Sequence, residues 1–233
     1  MKIKEVVILC GGMGTRLAVI VPGKQKALAE VRGVPVLDMI IEGLIVQGFN
    51  RIVLATGVRG EQVREYANKF AGLPNCEVVI SQEPEPLGTG GAIRNAVPHV
   101  QADHFLAING DAFFKGINFN EALDHHLKNK AAVTLVAVAP RTEEDYGAIE
   151  ITPDGRAGFR EKEGAGRLMS AGAYWMERAV IAALPEGPLS VEKDFFPRLA
   201  EEGRLYGYAS AGMVHDIGTP ERYRSANEDI NFI

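Results

Sequence analysis

The amino-acid sequence predicts an α/β protein, with a doubly wound, mostly parallel sheet, helices on both faces and a smaller mixed β region. Short apolar runs alternate with helical patterns up to Ala139, and a glycine-rich turn directly follows the first run. After Pro140 this alternation gives way to a hairpin pattern. Strands that alternate with helices are typical of βαβ units and therefore of parallel sheets. The 233 residues are expected to form one domain with two parts, residues 1–140 and residues 141–233.

In the first part, each element is predicted from its own pattern. Apolar residues of the stretch 37–45 recur at helical spacing, and Gly48 supplies an end for that helix. The predicted strands are residues 6–9, 51–56, 77–80, 105–109 and 132–139, and the predicted helices are residues 37–45, 61–70, 91–97 and 119–129. The polar, glycine-rich stretch 81–91 is expected to be a loop that opens a helix. His125 and His126 are expected on the solvated face of the predicted helix 119–129.

In the second part, a turn at Pro153-Asp154-Gly155 predicts a hairpin between two short strands. Thr219 and Pro220 suit the cap and the first turn of a closing helix. The predicted strands are residues 147–151, 156–160, 168–176, 205–209 and 213–215, and the predicted helices are residues 191–202 and 221–227.

Composition limits the classes of function. A net charge of −5 argues against nucleic-acid and anionic-membrane partners, which require a clustered basic surface. A few cations and backbone amides can still bind a small polyanion. Cys10 and Cys76 form no disulfide framework or zinc spacing, and no apolar run is long enough to span a membrane. We expect a cytoplasmic protein with small-molecule substrates; its oligomeric state is open, a homodimer included.

The loop after the first strand is the strongest local signal for phosphate binding. Glycines let the main chain approach a phosphate closely, and an arginine can then contact the outer phosphates. The residues expected to bind nucleotide here are Leu9, Gly11, Gly12, Gly14, Thr15 and Arg16. Neither G-x-G-x-x-G nor a P-loop fits, since Leu17 stands where a third glycine is needed and Gly-Lys-Ser/Thr is absent. A turn without a ligand is the alternative.

Two aspartates follow predicted strands and are expected to meet near this loop. Asp111 comes after Gly110 at the end of one strand, and Asp216 ends a short strand far downstream. Two carboxylates together with phosphate oxygens form the hard ligand set that Mg²⁺ prefers. Either aspartate alone would be read as a turn or cap residue. The pair predicts a magnesium site with Asp111 and Asp216 as ligands.

These motifs resemble those of sugar-1-phosphate nucleotidyltransferases. Residues 11–17 match the family pattern G-G-x-G-T-R-L, Asp111 and Asp216 match its G-D and D-I-G-T-P contexts, and the likeness runs from residue 6 to about residue 224. The resemblance implies a GT-A-like, Rossmann-like fold and Mg²⁺-dependent transfer of a nucleoside monophosphate from an NTP to a sugar 1-phosphate. It implies that Arg16 and Lys26 neutralise the triphosphate. Ala27 replaces the usual proline after that lysine, and Lys24 remains an alternative.

The resemblance also divides the chain into an NTP-binding half, residues 1–140, and a sugar-phosphate-binding half, residues 141–233. On the sugar side it points to Lys162, the second member of an acidic-Lys pair after the hairpin; a lysine that merely protects a strand edge is the alternative. The further residues expected to bind the sugar phosphate are Gly147, Glu161, Ser170 and Asp194. Ser170-Ala171-Gly172 stands where the family often has Asn-Gly-Gly.

The stretch 83–92 is similar to the base-selecting loop of guanylyltransferases, particularly those acting on D-glycero-α-D-manno-heptose 1-phosphate. Glu83, Gly88 and Thr89 are therefore expected to bind nucleotide. A carboxylate such as Glu83 can accept from both N1–H and the 2-amino group of guanine, whereas uracil and thymine offer one N–H there. A capped helix start is the alternative for Glu83. The resemblance to guanylyltransferases that act on heptose 1-phosphate implies a role in bacterial capsule, S-layer or lipopolysaccharide precursor synthesis.

Three alternatives stay open at this stage. The same reaction with mannose 1-phosphate, N-acetylmuramate 1-phosphate or another NTP is the first. An inactive nucleotide-sugar-binding regulatory module is the second, although Arg16, Asp111 and Asp216 are all retained. A nicotinamide-dependent oxidoreductase is the third; it predicts an acidic residue at the end of the second strand, where Thr56 and Gly57 stand.

Overall fold

The computed structural model of the protein describes residues 3–12, 14–140, 148–160 and 168–229. Along these residues the strands are, in chain order, β1 (Glu5–Cys10), β2 (Glu30–Val31), β3 (Val34–Pro35), β4 (Arg51–Thr56), β5 (Glu77–Gln82), β6 (His104–Asn109), β7 (Ala112–Lys115), β8 (Val133–Val138), β9 (Ala148–Ile151), β10 (Ala157–Arg160), β11 (Leu168–Glu177), β12 (Leu205–Ala209) and β13 (Met213–Asp216). The α-helices are α1 (Val36–Val46), α2 (Gly60–Ala67), α3 (Gly88–Ala96), α4 (Phe119–Lys128), α5 (Arg178–Ala182), α6 (Phe196–Glu201) and α7 (Pro220–Glu228).

The main sheet has the strand order β10-β9-β11-β6-β1-β4-β5, and β8 joins it through β11 while β12 pairs with β8. Strands β6, β1, β4 and β5 are parallel to one another, as is β12 to β8. This arrangement confirms the predicted fold class. The long strand β11 is antiparallel to both β6 and β8, so it joins the two parts of the chain within one sheet.

Buried side chains form two clusters, one on each face of this sheet. In β1, Val6 and Ile8 belong to the first cluster and Val7 to the second, because successive side chains of a strand point to opposite faces. Residues of α1 and α4 complete the first cluster, and residues of α3 and α6 complete the second. The helices therefore cover both faces, as a doubly wound sheet requires. Among the described residues, no helix is long and apolar enough to cross a membrane.

The structure departs from the sequence expectations at several elements. The strand β5 runs to Gln82, two residues into the stretch expected to be a loop. The predicted helix 191–202 is a π-helix at Val191–Phe195 followed by α6. The sequence patterns missed α5 and the short strands β2, β3 and β7.

The expected exposure of His126 was wrong. Its side chain is fully buried, and its ring nitrogens lie 2.9 Å from Nδ1 of His104 and 2.9 Å from Oγ1 of Thr134. A buried polar ring is tolerated when both nitrogens have partners. Phe119, Ala122 and His126 are the buried residues of α4 and share one helical face, a spacing that could have shown this burial.

Candidate active site

The ends of the parallel strands define a cleft. Because β1, β4 and β6 are parallel, their carboxyl ends at Cys10, Thr56 and Asn109 lie at one edge of the sheet, where open α/β sheets bind ligands. A cleft of about 490 Å³ opens at this edge. It is lined by Arg16, Lys26, Asn109, Asp111, Ala112, Ile149, Phe159, Met169, Ser170, Ala171, Gly172, Glu192, Val214, Asp216, Gly218 and Arg222. All four predicted catalytic residues, Arg16, Lys26, Asp111 and Asp216, are therefore brought together.

The two aspartates are neighbours because their backbones are paired. Strand β7 begins directly after Asp111 and pairs antiparallel with β13, which places Ala112 opposite Asp216. The N–H of Ile217 donates to the carbonyl of Asp111 at 3.0 Å. Gly110, directly before Asp111, allows the chain to pass close to β1, since a Cβ there would lie 2.7 Å from the carbonyl oxygen of Leu9. The carboxylates are thus positioned by main-chain contacts.

Each aspartate also has a cationic partner. Nζ of Lys26 contacts Oδ2 of Asp111, and Nη1 of Arg222 lies 2.9 and 3.0 Å from the two carboxylate oxygens of Asp216. The N–H of Gly218 donates to Oδ1 of Asp216 at 2.9 Å. Each of the two carboxylates therefore has an opposite charge beside it in the lining of the cleft.

This arrangement suits a divalent cation that shares its ligands with a substrate. Carboxylate oxygens of Asp111 and Asp216 are hard donors on one cleft, as Mg²⁺ requires. Over the part of the chain that the structure describes, no group of three or more His, Cys, Asp and Glu residues could hold a metal. Substrate phosphate oxygens and water would have to complete the ligand set, which is common for magnesium.

Gln25 positions Lys26, a role that sequence reasoning missed. Its side chain is buried, donates from Nε2 to the carbonyl of Cys10 and accepts at Oε1 from the N–H of Ala27 at 2.6 Å. These bonds tie the short 3₁₀ helix Lys26–Leu28 to the end of β1. Lys24, the alternative to Lys26, pairs instead with Glu30 at 2.7 Å and does not line the cleft.

The glycine loop lies beside the cleft rather than inside it. Gly14 has a φ of +60°, a conformation that favours glycine, and it packs against Lys26. Among the described residues, and apart from its chain neighbours, no atom lies within 4 Å of a Cβ built on Gly12. Leu9, Gly11, Gly12, Gly14 and Thr15 do not line the cleft, in contrast to Arg16, and Met13 lies outside the described residues.

Glu83 lies behind this loop. Its Oε2 accepts from the N–H of Leu87 at 2.9 Å, which is the helix-start role considered as its alternative. A Cβ on Gly11 would lie 2.2 Å from Oε1 of Glu83, so a larger residue at this position would displace the carboxylate. Burial raises the pKa of Glu83, and the bond from Leu87 opposes that rise. Glu83 contacts the glycine loop but does not line the cleft.

The beginning of α3 is covered by the protein itself. The N–H groups of Gly90 and Gly91 donate to the carbonyl of Leu189 at 2.7 and 3.4 Å. The hydroxyl of Thr89 accepts from the N–H of Val191 at 3.0 Å. A neighbouring segment of the protein therefore binds these amides. Gly88 and Thr89 lie outside the cleft.

On the acceptor side, the structure brings Glu192 rather than Asp194 into the cleft. Asp194 accepts from the N–H of Ser190 at 2.8 Å and so caps its own helical turn. Glu192 lines the cleft, and its Oε1 accepts from the hydroxyl of Tyr174 at 2.8 Å. Burial, together with the negative charge of Glu192, raises the pKa of Tyr174 well above its usual value.

Ser170, one of the residues expected to bind the sugar phosphate, lines the cleft, and its hydroxyl accepts from the N–H of Gly172 at 3.2 Å. The predicted sugar-phosphate residues Gly147, Glu161 and Lys162 lie outside the described residues.

Several lining residues were missed by sequence reasoning. Asn109 precedes the Gly-Asp motif, and Gly172 with φ +67° fits against its amide. Arg222 lies in the first turn of α7, two residues after the D-I-G-T-P motif, and its proximity to a known motif was the available signal. Phe159 and Met169 add an apolar wall to the cleft.

Cys10 lies next to this site but is not a candidate nucleophile. Its thiol is fully buried, and burial together with the negative charge of Asp111 raises its pKa to about 12. A thiol with such a pKa stays protonated near neutral pH, whereas the thiolate is the reactive form.

Comparison with known proteins agrees with this geometry. The family model described as Nucleotidyl transferase matches residues 5–231. The chain belongs to the nucleotidyl transferase family. It is 33% identical to D-glycero-alpha-D-manno-heptose 1-phosphate guanylyltransferase of Aneurinibacillus thermoaerophilus, over 97% of this chain and 98% of that one. It is 30% identical to mannose-1-phosphate guanylyltransferase of Mycobacterium tuberculosis, but spans only 64% of that protein's length.

Solved structures show the same likeness. HddC from Yersinia pseudotuberculosis, crystallised in complex with GMP-PN, superposes with a TM-score of 0.84 at 30% identity, covering 97% of this chain and 99% of HddC. A UDP-glucose pyrophosphorylase from Acinetobacter baumanii superposes with a TM-score of 0.76, covering 97% of this chain and 92% of that one, and at 19% identity it shows the fold alone.

Proposed function

We propose that the protein transfers GMP from GTP to a sugar 1-phosphate, most favourably D-glycero-α-D-manno-heptose 1-phosphate, with release of pyrophosphate. The observation that carries this proposal is the cleft in which Asp111, Asp216, Lys26 and Arg16 converge at the carboxyl edge of the sheet. Family membership and the named heptose relative support the reaction class and the acceptor. Nucleoside triphosphates are made in the cytoplasm, and we place the reaction there.

The chemistry requires no covalent intermediate with the protein. An oxygen of the sugar phosphate attacks the α-phosphorus of GTP, a new P–O bond forms, and the bond from the α-phosphorus to the bridging oxygen breaks. The electron pair leaves on pyrophosphate. Because both reactants are polyanions, the main obstacles are their mutual repulsion and their alignment, which positioned charges can overcome.

The residues of the cleft have separate roles in this proposal. Asp111 and Asp216 would hold Mg²⁺, which when bound polarises the α-phosphate and offsets its charge. Lys26 and Arg16 would stabilise the charge that develops on pyrophosphate. On the acceptor side, the hydroxyl of Ser170 would donate hydrogen bonds to sugar hydroxyls or accept them. The carboxylate of Glu192 would accept hydrogen bonds from sugar hydroxyls. Lys162 remains the proposed contact to the acceptor phosphate, and Glu161 and Gly147 remain proposed residues of the same subsite.

Glu83 is the proposed residue that recognises guanine, and Gly88 and Thr89, at the beginning of α3, remain proposed to bind the nucleotide. Leu87 binds one carboxylate oxygen of Glu83, and Oε1 packs against Gly11 of the glycine loop. A carboxylate oxygen can accept more than one hydrogen bond, so Glu83 can serve the loop and the base together. Equal turnover with GTP and UTP would contradict this role.

The test is a matrix of four NTPs against several sugar 1-phosphates, read as pyrophosphate release by the full chain. We expect the highest kcat/KM for GTP with the heptose 1-phosphate, abolition of release by EDTA and its recovery with excess Mg²⁺. Mannose 1-phosphate is the competing acceptor, because other relatives are named mannose-1-phosphate guanylyltransferase or guanyltransferase. A higher kcat/KM for mannose 1-phosphate would replace the heptose assignment. No release with any pair would overturn the reaction.

A further inference from the structure

The inference concerns a contact between the two sides of the site. Residues 87–91, at the beginning of α3, lie against residues 187–191, and we call these two segments together the clasp. Leu189 is bonded in both directions: its N–H donates to the carbonyl of Leu87 at 2.9 Å, and its carbonyl accepts from Gly90 at 2.7 Å. The hydroxyl of Thr89 adds the bond from the N–H of Val191.

The glycines of the clasp are explained by this contact. A Cβ on Gly88 would lie 2.8 Å from the carbonyl oxygen of Leu189, and Gly88 has a φ of +68°. A Cβ on Gly91 would lie 2.5 Å from the carbonyl oxygen of Gly187. Atoms at such separations would force one of the two segments to move. The Gly-Thr-Gly-Gly sequence therefore serves the close approach of two backbones.

The two ends of the clasp lead to different parts of the site. At one end, Leu87 donates to Glu83, the proposed guanine reader. At the other end, Val191 is followed directly by Glu192, which lines the acceptor side of the cleft and is also held by Tyr174. Hydrogen bonds thus join Glu83 to Leu87 and Leu87 to Leu189, and a separate bond to Thr89 holds Val191, the residue before Glu192.

We propose that the clasp couples the nucleotide to the acceptor: a nucleotide bound at Glu83 orders residues 187–191, and this fixes Glu192 for the sugar phosphate. Thr89 is then a positioning residue, acting through the N–H of Val191 on Glu192. The proposal rests on the function proposed above. Since coupling between two bound ligands is reciprocal, a bound acceptor strengthens nucleotide binding by the same factor.

The first test is hydrogen exchange of the full chain with and without GTP, in the absence of acceptor. GTP is expected to slow exchange of the amides of residues 189–192 in the wild type and in T89S, which keeps the hydroxyl. In T89V, which is similar in size but cannot accept a hydrogen bond, this slowing is expected to disappear. GTP binding without any change at residues 189–192 of the wild type would overturn the coupling.

The second test is kinetic. T89V is expected to raise KM for the sugar 1-phosphate about five- to tenfold, the effect of one lost hydrogen bond, with T89S close to the wild type. If Thr89 acts through Glu192, the double variant T89V/E192Q shows no higher KM than E192Q alone. Independent, multiplied effects of the two substitutions would contradict the positioning role.

A second variant, G91A, and thermal unfolding show whether the effect of T89V comes from the clasp or from a general loss of folding. G91A is expected to push residue 187 away from α3 and to raise the same KM, while thermal unfolding remains cooperative in all variants. The two proposals fail in distinguishable ways. Absence of pyrophosphate release by the wild type contradicts the proposed reaction, whereas unchanged exchange at residues 189–192 in nucleotide-bound protein contradicts the clasp.

Discussion

The backbone N–H of Ile217 donates to the backbone carbonyl of Asp111 at 3.0 Å. This bond extends the pairing of β7 with β13 and holds Asp111 and Asp216 side by side, although they lie 105 positions apart in the chain. Because main-chain groups make these contacts, the carboxylates can be changed chemically without removing what positions them. The structure therefore allows a clean test of the proposed metal ligands.

D111N and D216N are each expected to lower kcat/KM about 10³-fold or more, with little loss of stability. An amide is a weaker ligand than a carboxylate for Mg²⁺, and a misplaced cation no longer stabilises the developing charge. The measurement is pyrophosphate release at saturating GTP with the sugar 1-phosphate as the varied substrate. Thermal unfolding is measured in parallel.

The matched control is D103N. The side chain of Asp103 is 87% exposed and, within the described residues, pairs with the surface residue Arg178 at 3.3 Å, so the activity of D103N should stay within about twofold of the wild type. Near-wild-type turnover by D111N would show that Asp111 is not a metal ligand.

K26M and K24M form a second matched pair. Lys26 contacts Asp111 inside the cleft, whereas Lys24 pairs with Glu30 outside it. K26M is expected to lower kcat/KM about 10²-fold, because a positioned cation is lost from the developing pyrophosphate, and K24M less than twofold. Steady-state kinetics with GTP as the varied substrate decides the question. A larger loss in K24M would reassign the contact to Lys24.

Gln25 is expected to support both the fold and Lys26. Q25A removes two hydrogen bonds from a buried position, so the free energy of unfolding should fall by about 1–3 kcal/mol. Because Lys26 then loses its fixed position, kcat/KM for GTP should fall about tenfold even where the variant is fully folded. Urea unfolding and kinetics at 25 °C measure the two effects. Q101A, at an exposed glutamine, serves as the control, and a loss of stability with unchanged kinetics would make Gln25 merely structural.

His126 is expected to make stability depend on pH. Burial, with smaller contributions from His104 and His125, lowers the pKa of His126 in the folded protein to about 3, below its ordinary value of 6.5. The unfolded chain therefore binds the proton more readily, so stability is complete above about pH 6.5 and declines as pH falls towards 3. The slope is about 1.4 kcal/mol per pH unit, or about 2 kcal/mol between pH 6.5 and 5.

Urea unfolding at pH 7 and pH 5 tests this expectation. H126Q cannot take up the proton, so the difference in stability between the two pH values should shrink by about 2 kcal/mol relative to the wild type. H99Q, at a partly exposed histidine, should keep the wild-type difference. An unchanged difference in H126Q would mean that other groups dominate acid unfolding.

The elements that sequence reasoning predicted well are those with strong local patterns. All residues of Arg51–Thr56 are buried. A nearly continuous apolar run is the sequence pattern of a parallel strand that is buried on both faces. His126 shows the opposite case: its polarity suggested solvent, and only the positions of His104 and Thr134 make its burial tolerable.

The residues of the candidate site fall into the same two groups, those that local patterns predicted and those that depend on distant contacts. Arg16, Lys26, Asp111 and Asp216 stand in short motifs, and the cleft contains all four. Thr89 and Asp194 also looked functional from their neighbours, yet their polar atoms bind the backbone of Val191 and Ser190. Glu192 could not be separated from Asp194 by sequence, because a π-helical turn decides which of the two faces the cleft.

By itself, the sequence determined the strand–helix alternation, the loop at the end of β1 and the identity of the charged residues, because each depends on neighbours within a few positions. Only the tertiary structure decided that Ala112 pairs with Asp216, that Gln25 binds the carbonyl of Cys10, and that residues 187–191 cover the beginning of α3. These contacts join segments whose separation and direction are set by packing of the whole sheet, and no local pattern encodes such distances.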